Sequence, residues 1–301
     1  MHTKPVPTRR FSLPPAAGNR VDEKAVPELI ALFNSTASVL LRHEVAYTLG
    51  QMQRIEAVPF LECLLTDNTE HPITRHEAAE ALGAIAAPES LDVLKRHAAD
   101  TASEVSDTCA LALAQLSFQS EKGACGCERR PQEALRLEAT PTGDEELCAR
   151  QPPQEPTPVY TYVSPAPAAK AAPLERLREQ LLDQQEHLFE RYRALFALRD
   201  AVPKEGERAV AALCACLSRR EESALLKHEV AFVLGQLEHP AADTALCAAI
   251  ARGDEHGMVR HEAAEALGAI GSPKAIEVLR EFSDDPEEIL RESCWVALMW
   301  L

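Results

Sequence analysis

Aromatic residues are scarce in this chain of 301 residues: they make up 5% of it, although 46% of the residues are hydrophobic. Alanine and leucine supply most of the apolar side chains, and they favour helices over strands. No apolar run approaches the roughly 20 residues that a membrane-spanning helix needs. The composition therefore predicts an all-α globular protein that is long enough for two domains and is not a membrane protein.

Positive charge is also in short supply. The chain has 31 Lys and Arg against 47 Asp and Glu, a formal net charge of -16. Affinity for nucleic acid comes mainly from basic side chains that neutralise phosphates, so this balance argues against nucleic acid and favours a basic partner. The nine cysteines are odd in number and scattered, and no secretory signal precedes them, so we expect a reducing compartment, the cytoplasm.

The stretch RHEAAEALGAI occurs twice, letter for letter, at residues 75–85 and 260–270. It belongs to a longer internal match, in which residues 38–113 align without a gap with residues 223–298, always 185 positions later. The chain is therefore a tandem duplication.

A shorter period lies inside each half, because His43 and His76 are 33 residues apart, as are His228 and His261. Helical repeat families have periods in this range. Within one unit, VPFLECLLTD is predicted as an outer helix and RHEAAEALGAI as an inner helix with apolar residues at helical spacing. The unit is a helical hairpin of the HEAT type, which buries its apolar face only by stacking on its neighbours.

Composition divides the chain into four predicted segments: a disordered tail at 1–20, an N-terminal HEAT-repeat half at 21–120, a Pro-rich linker at 121–173, and a C-terminal HEAT-repeat half at 174–301. The linker buries too little apolar area to offset the entropy of ordering it. The first half also lacks a counterpart of the helix that opens the second half.

Four adjacent His-Glu pairs occur at the same point of their repeats: His43-Glu44, His76-Glu77, His228-Glu229 and His261-Glu262. One such pair in the first turn of a helix is commonly a solvated face. The third repeat of each half has Asp107 or Glu292 in place of the His, so HEAT stacking does not require this His. Its presence in the two central repeats of each half points to chemistry.

Equivalent side chains on neighbouring solenoid helices, about 8 to 10 Å apart, can converge on one ion. Two His and one carboxylate form the facial triad of oxygen-activating non-haem iron. Each half can build one triad, and a pseudo-twofold axis would bring two irons together. The zinc-protease motif His-Glu-x-x-His and the Glu-x-x-His of ferritin-like sites are absent at these pairs. Glu80 and Glu265 follow a His by one turn, either as partners of an imidazole or as exposed carboxylates.

These residues resemble the deoxyhypusine hydroxylase family of HEAT-repeat di-iron monooxygenases. The resemblance covers about residues 29–116 and 174–301 and rests on LLRHEVAYTLGQ, RHEAAEALGAI, FERYRALFALR, LLKHEVAFVLGQ and LRESC. The family hydroxylates the deoxyhypusine side chain of translation initiation factor 5A and thereby completes hypusine. The resemblance implies an oxidoreductase with two Fe(2+) per chain, dioxygen as co-substrate and the deoxyhypusine-bearing factor as partner, and we expect a monomer.

The resemblance also implies a role for each residue of the pairs. It assigns one His-His-Glu triad to each iron: His43, His76 and Glu77, and His228, His261 and Glu262. Glu44 and Glu229 would bind the substrate, since a buried ammonium requires carboxylates that the metal does not use. Because all four Glu share one sequence context, the possibility that Glu44 and Glu229 are additional metal ligands stays open.

Two other functions are compatible with the sequence. One is an acidic HEAT scaffold that binds a basic protein and keeps the His-Glu pairs as relics. The other is a metal hydrolase on the same ligands. The linker stretch SPAPAA, residues 164–169, also resembles a family segment near the active site, with no role beyond that of a lid. The iron content of the purified protein separates the three functions.

Overall fold

The computed structural model describes residues 24–124 and 162–301. Over these residues the chain forms α-helices, short 3-10 turns and loops, without a strand, as the composition predicts. None of the described helices has both the length and the apolar character for crossing a membrane. The predicted tail, the apparent absence of an opening helix in the first half and most of the predicted linker lie outside the described residues.

Three helical hairpins form the described first half. Their helices are α1 (Ala25–Ser35) and α2 (Val39–Gln51), α3 (Val58–Thr66) and α4 (Pro72–Ile85), and α5 (Leu91–His97) and α6 (Ser103–Ala124). The inner helices α2, α4 and α6 pack side by side. The predicted stripe on α4 is buried at Ala78, Ala81 and Leu82.

The second half has four hairpins. Its helices are α7 (Leu174–Leu182) and α8 (Leu188–Glu205), α9 (Glu207–Leu217) and α10 (Ala224–Leu237), α11 (Asp243–Ala251) and α12 (Gly257–Ile270), and α13 (Pro273–Glu281) and α14 (Glu288–Met299). The inner helices α8, α10, α12 and α14 again pack in sequence.

The inner helices begin earlier than the motif suggests. The α4 helix starts at Pro72, where the ring Nδ1 of His71 accepts a hydrogen bond from the backbone N–H of Ile73. His256 caps α12 in the same way. Each His-Glu pair therefore lies in the second turn of its helix, and not in the first turn as the sequence indicated. A pair in the second turn has helix on both sides of it, which favours burial.

Close approach of the inner helices depends on glycine. A Cβ atom added at Gly50 of α2 would lie 2.7 Å from the Cα atom of Ala81, and one added at Gly83 of α4 would lie 2.9 Å from the Cβ atom of Ala112. Such distances are shorter than any packed side chain tolerates, so only glycine lets these helices meet. The close spacing brings side chains of successive inner helices within reach of one another.

The two halves make equivalent contacts with each other. The Ser38 hydroxyl, at the start of α2, donates to Glu292 Oε2 of α14 at 2.6 Å. In the other direction, the Ser223 hydroxyl at the start of α10 donates to Asp107 of α6. Both acceptors occupy the position that carries His in the central repeats. Reciprocal contacts of this kind are what two halves related by a pseudo-twofold axis require.

Residues 162–173, which composition assigned to the linker, lie along both halves. The backbone N–H of Val163 donates to Gln51 Oε1 at 2.8 Å, and Gln51 Nε2 donates to the Val163 carbonyl at 3.3 Å. The backbone N–H of Ala169 donates to the Arg193 carbonyl at 2.8 Å, and Ala166 is buried. These bonds satisfy backbone groups that a free linker would leave to water. The stretch SPAPAA therefore packs on the helices.

Candidate metal centre

The four histidines of the His-Glu pairs converge between the two halves. His43 comes from α2, His76 from α4, His228 from α10 and His261 from α12, and all four are buried. Ring centroids lie 5.6 Å apart for His43 and His76 and 5.3 Å apart for His228 and His261. Across the halves, they lie 5.1 Å apart for His43 and His261 and 5.4 Å apart for His76 and His228. The duplication thus places two equivalent histidine pairs face to face.

Two carboxylates of the pairs lie among these rings. Glu77 Oε2 is 3.1 Å from His43 Nε2 and 4.0 Å from His76 Nε2, and the ligand atoms of these three residues lie within 4.8 Å of one another. Glu262 Oε2 is 3.5 Å from His228 Nε2. The first expected triad is thus brought together in full. In the second half, ligand atoms of His228 and His261 lie within 4.8 Å of each other and of a ring nitrogen of His43. Glu262 lies beside His228.

The protonation of His76 and His228 suits a cation between the rings. Burial, with smaller contributions from His228 and His43, lowers the pKa of His76 well below its ordinary value, and burial lowers the pKa of His228 to about 3. These rings are therefore neutral at pH 7, the form that binds metals. Burial lowers the pKa of His43 too, but Glu77 and Glu44 outweigh it and hold the pKa well above its ordinary value.

The residues fit a metal, because some of their buried ring nitrogens make no hydrogen bond. Both ring nitrogens of His76 are buried and have no hydrogen-bond partner among the described residues, and the same holds for His228. Buried polar atoms without partners are rare and unfavourable, and coordination would satisfy these nitrogens. Imidazoles and carboxylates, without cysteine in either group, are the ligands of a facial-triad iron site.

Glu44 and Glu229 differ in their surroundings, although they are equivalent in sequence. The Glu44 side chain is 40% exposed, with Oε1 3.3 Å from His43 Nδ1. Glu229 is buried and accepts a hydrogen bond from the Tyr162 hydroxyl at 2.8 Å. Burial raises the pKa of Glu229 to about 7, although the bond from Tyr162 opposes the shift. A buried carboxylate with so high a pKa would be stabilised by a cationic ligand.

Comparisons with known proteins agree with this geometry. The chain matches HEAT repeats at residues 26–114 and 210–299. It is 45% identical to deoxyhypusine hydroxylase of Mus musculus, over 87% of this chain and 76% of that protein. It is 46% identical to deoxyhypusine hydroxylase-B of Oryza sativa subsp. japonica, over 88% of this chain and 78% of that protein. The chain belongs to the deoxyhypusine hydroxylase family.

The deoxyhypusine hydroxylase fold is shared as well. The solved structure of human deoxyhypusine hydroxylase in complex with glycerol superposes with a TM-score of 0.76 at 44% identity, covering 91% of this chain and 83% of that chain. The HEAT fold and the family predicted from the sequence are therefore confirmed. The residue assignments within the metal centre stay predictions.

Aromatic rings border the centre on the side of Glu229. Tyr162 lies 4.8 Å from Phe232 and 6.5 Å from Tyr47, between ring centroids, and Tyr47 and Phe232 occupy equivalent positions in the two halves. The sequence of this member of the deoxyhypusine hydroxylase family did not identify Tyr162 as a residue of the site, because Tyr162 lies in a Pro-rich stretch without periodicity. The neighbouring SPAPAA stretch was the one available signal that this segment lies near the centre.

Proposed function

We propose that this protein is a deoxyhypusine monooxygenase, which hydroxylates the deoxyhypusine side chain of translation initiation factor 5A. The observation that carries the proposal is the set of four buried histidines from duplicated repeats, with neighbouring rings 5.1 to 6.0 Å apart, in a chain of this family. A scaffold without metal has no use for the buried ring nitrogens of His76 and His228, which lack hydrogen-bond partners in the described part of the chain. Family membership likewise disfavours a hydrolase.

We assign one Fe(2+) to His43, His76 and Glu77, and a second Fe(2+) to His228, His261 and Glu262. When bound, the two irons activate dioxygen for insertion of one oxygen atom into a C–H bond. The chain supplies imidazoles, of which those of His76 and His228 are neutral at pH 7, on inner helices that approach closely at Gly50 and Gly83. It also supplies Glu77, 3.1 Å from His43, as a charged ligand.

Glu44 and Glu229 bind an amine of the substrate arm in this proposal. The burial of Glu229 supports the assignment, because an ammonium would compensate a carboxylate that is otherwise unfavourable in its surroundings. The hydrogen bond from Tyr162 orients that carboxylate. The rings of Tyr47, Tyr162 and Phe232 would exclude water and contact the methylene groups of the arm.

The remaining features of the proposal concern the whole chain. Since both triads come from one chain, a monomer has a complete site. The net charge of -16 suits a basic partner better than nucleic acid. The six cysteines of the described residues are free thiols, which supports the assignment to the cytoplasm.

Metal analysis and mass spectrometry of one preparation test the function. Protein from iron-replete cells is expected to hold about two irons per chain and to absorb visible light after exposure to air. With dioxygen and a reductant, the deoxyhypusine-bearing factor 5A should gain the mass of one oxygen atom, whereas the factor with unmodified lysine should not change. Stoichiometric zinc without iron, or a metal-free protein that binds the factor and leaves it unmodified, would contradict the proposal.

A further inference from the structure

A pocket opens beside the metal centre on the side of the first half. Its walls come from α4 and α6, and residues 163–165 form its third side. Small and apolar side chains line most of it, and its polar lining includes Glu80, Thr108 and Gln115. The pocket adjoins the metal centre, because Glu80 lies one helical turn after Glu77 on α4.

The polar lining of this pocket offers several hydrogen-bond acceptors. Glu80 contributes a carboxylate. The Oε1 atom of Gln115 is buried and has no hydrogen-bond partner within the described parts of the chain. The hydroxyl of Thr108 donates to the Glu104 carbonyl at 2.6 Å, so only its oxygen lone pairs can face a ligand. A buried carboxyl group beside further acceptors favours a ligand with a positive charge and several donors, such as an ammonium group, because the cation would stabilise the ionised form of the carboxyl.

Glu80 lies close enough to the centre to act with its carboxylates. Burial, followed by the charges of Glu77 and Glu229, raises the pKa of Glu80 well above its ordinary value. The segment that lines the pocket also connects it to Glu229, because Val163 is bonded to Gln51 and Tyr162 donates to Glu229. A linear ligand with two amines, lying along this segment, would have a carboxylate for each amine.

The equivalent place in the second half is built differently. Glu265 corresponds to Glu80, and Ser293, which corresponds to Thr108, donates its hydroxyl to Glu265 at 3.3 Å. The position of Gln115 is taken by Trp300, which is 64% exposed. The pseudo-twofold relation is therefore broken at this pocket, and Glu265 offers a matched control for Glu80.

We propose that Glu80 and Gln115 form a second ammonium subsite, present only on the side of the first half, which binds one amine of the deoxyhypusine arm while Glu229 binds the other. The inference rests on the proposed function. The deoxyhypusine side chain has two amines, whereas the lysine from which it is made has one. A carboxylate subsite for each of the two amines therefore distinguishes the modified factor from its unmodified form.

Calorimetric titration of the iron-loaded protein tests the subsite. The titrants are factor 5A bearing deoxyhypusine and the same factor bearing lysine. A lost hydrogen bond to a charged group weakens binding by roughly ten- to a hundredfold, so Glu80→Gln should show this loss for the deoxyhypusine-bearing factor and almost none for the lysine-bearing factor. Gln115→Met should show a smaller loss in the same direction, and Glu80→Asp should recover part of the affinity. Glu265→Gln should bind both forms as the unaltered protein does.

Several results would overturn the subsite. These are unchanged affinity of Glu80→Gln for the deoxyhypusine-bearing factor, equal losses for both forms of the factor, or an equal loss in Glu265→Gln. Iron measured on the same preparations should stay at the level of the unaltered protein, and iron loss in Glu80→Gln would assign this residue to the metal instead. If the unaltered protein prefers the deoxyhypusine-bearing factor but adds no oxygen to it, the proposed hydroxylation fails, and the affinities still decide the subsite. Equal affinity of the unaltered protein for both forms would contradict the subsite directly.

Discussion

At the scale of single residues, histidine has two separate uses in this chain. His43, His76, His228 and His261 lie in the second turn of an inner helix and face the centre. His71, His187 and His256 precede a helix, where ring Nδ1 accepts a backbone N–H. A cap is satisfied by the protein itself. The ring nitrogens of His76 and His228, in contrast, have no hydrogen-bond partner among the described residues, and a metal would satisfy them.

Replacement of one second-turn histidine tests its role as a ligand. His76→Ala is expected to lower iron from about two per chain to one or fewer and to abolish hydroxylation, because the first triad loses one of its three protein ligands. Far-ultraviolet circular dichroism should keep its helical intensity, since the third repeat stacks with Asp107 at this position. His187→Asn keeps a capping side chain at α8 and should retain all iron. Full iron in His76→Ala would refute the ligand assignment.

Substitution can show whether Glu44 and Glu229 bind the substrate or the metal. Glu44→Ala and Glu229→Ala are each expected to keep both irons and to weaken binding of the deoxyhypusine-bearing factor. The loss should be roughly 2 to 5 kcal/mol for Glu229, whose carboxylate is buried, and smaller for Glu44, whose side chain is 40% exposed. Iron analysis and calorimetry on the same preparations provide the measurement. Iron loss in both variants would make these residues metal ligands, and unchanged affinity would leave them without a role in substrate binding.

At the scale of helices, a basic residue before each His ties successive repeats together. Each of the four forms an ion pair with a carboxylate further along the chain: Arg42 with Glu70, Arg75 with Asp100, Lys227 with Glu255, and Arg260 with Asp285. Arg75 Nε also donates to the Leu65 carbonyl at 3.0 Å, which links α3, α4 and the loop before α6. These ties fix the rotation of the inner helix and hence the direction of the neighbouring His.

The Arg75–Asp100 pair predicts a pH-dependent stability. The hydrogen bond from Arg75 holds the pKa of Asp100 well below its usual range. Because an unfolded Asp titrates near 3.9, the pair stabilises the fold above about pH 4, and its contribution disappears as pH falls towards the folded pKa. In urea titrations, Asp100→Asn should unfold with about 2 kcal/mol less free energy at pH 7. The difference from the unaltered protein should shrink with falling pH, and a constant difference would contradict this account.

At the scale of the whole molecule, the metal centre lies where the two halves meet. Each iron in the proposed assignment is held by one half, but His43 lies 5.1 Å from His261 and His76 lies 5.4 Å from His228, between ring centroids. The hydrogen bonds from Ser38 to Glu292 and from Ser223 to Asp107 hold the halves at this distance. Folding of both halves and assembly of the centre are therefore linked.

Iron removal should lower the thermal stability of the protein. A metal that binds only the folded state stabilises it by about 2.7 kcal/mol at a hundredfold excess over Kd, which for a chain of this length raises Tm by roughly 4 to 5 °C. Anaerobic calorimetry with Fe(2+) and after chelation measures this shift. His76→Ala should show a smaller shift than the unaltered protein. Equal Tm values with and without iron in the unaltered protein would show that the centre does not stabilise the fold.

The sequence by itself determined the helical repeats, the duplication and the four residue pairs of the centre, because periodicity and spacing are properties of the local chain. His43 and His76 could be paired from their interval of 33 residues alone. The starts of the inner helices were predicted about one turn too late, because the caps at His71 and His256 are side-chain hydrogen bonds that periodicity does not report.

Only the tertiary structure decided how the two halves differ. Glu44 and Glu229 are equivalent by sequence, but Tyr162 from the connecting segment reaches Glu229 alone. Glu80 and Glu265 are likewise equivalent, but Ser293 bonds Glu265, whereas Glu80 faces a pocket that residues 163–165 help to form. The reason is physical: an exact internal repeat specifies two equal faces, and the path of the chain between them covers only one.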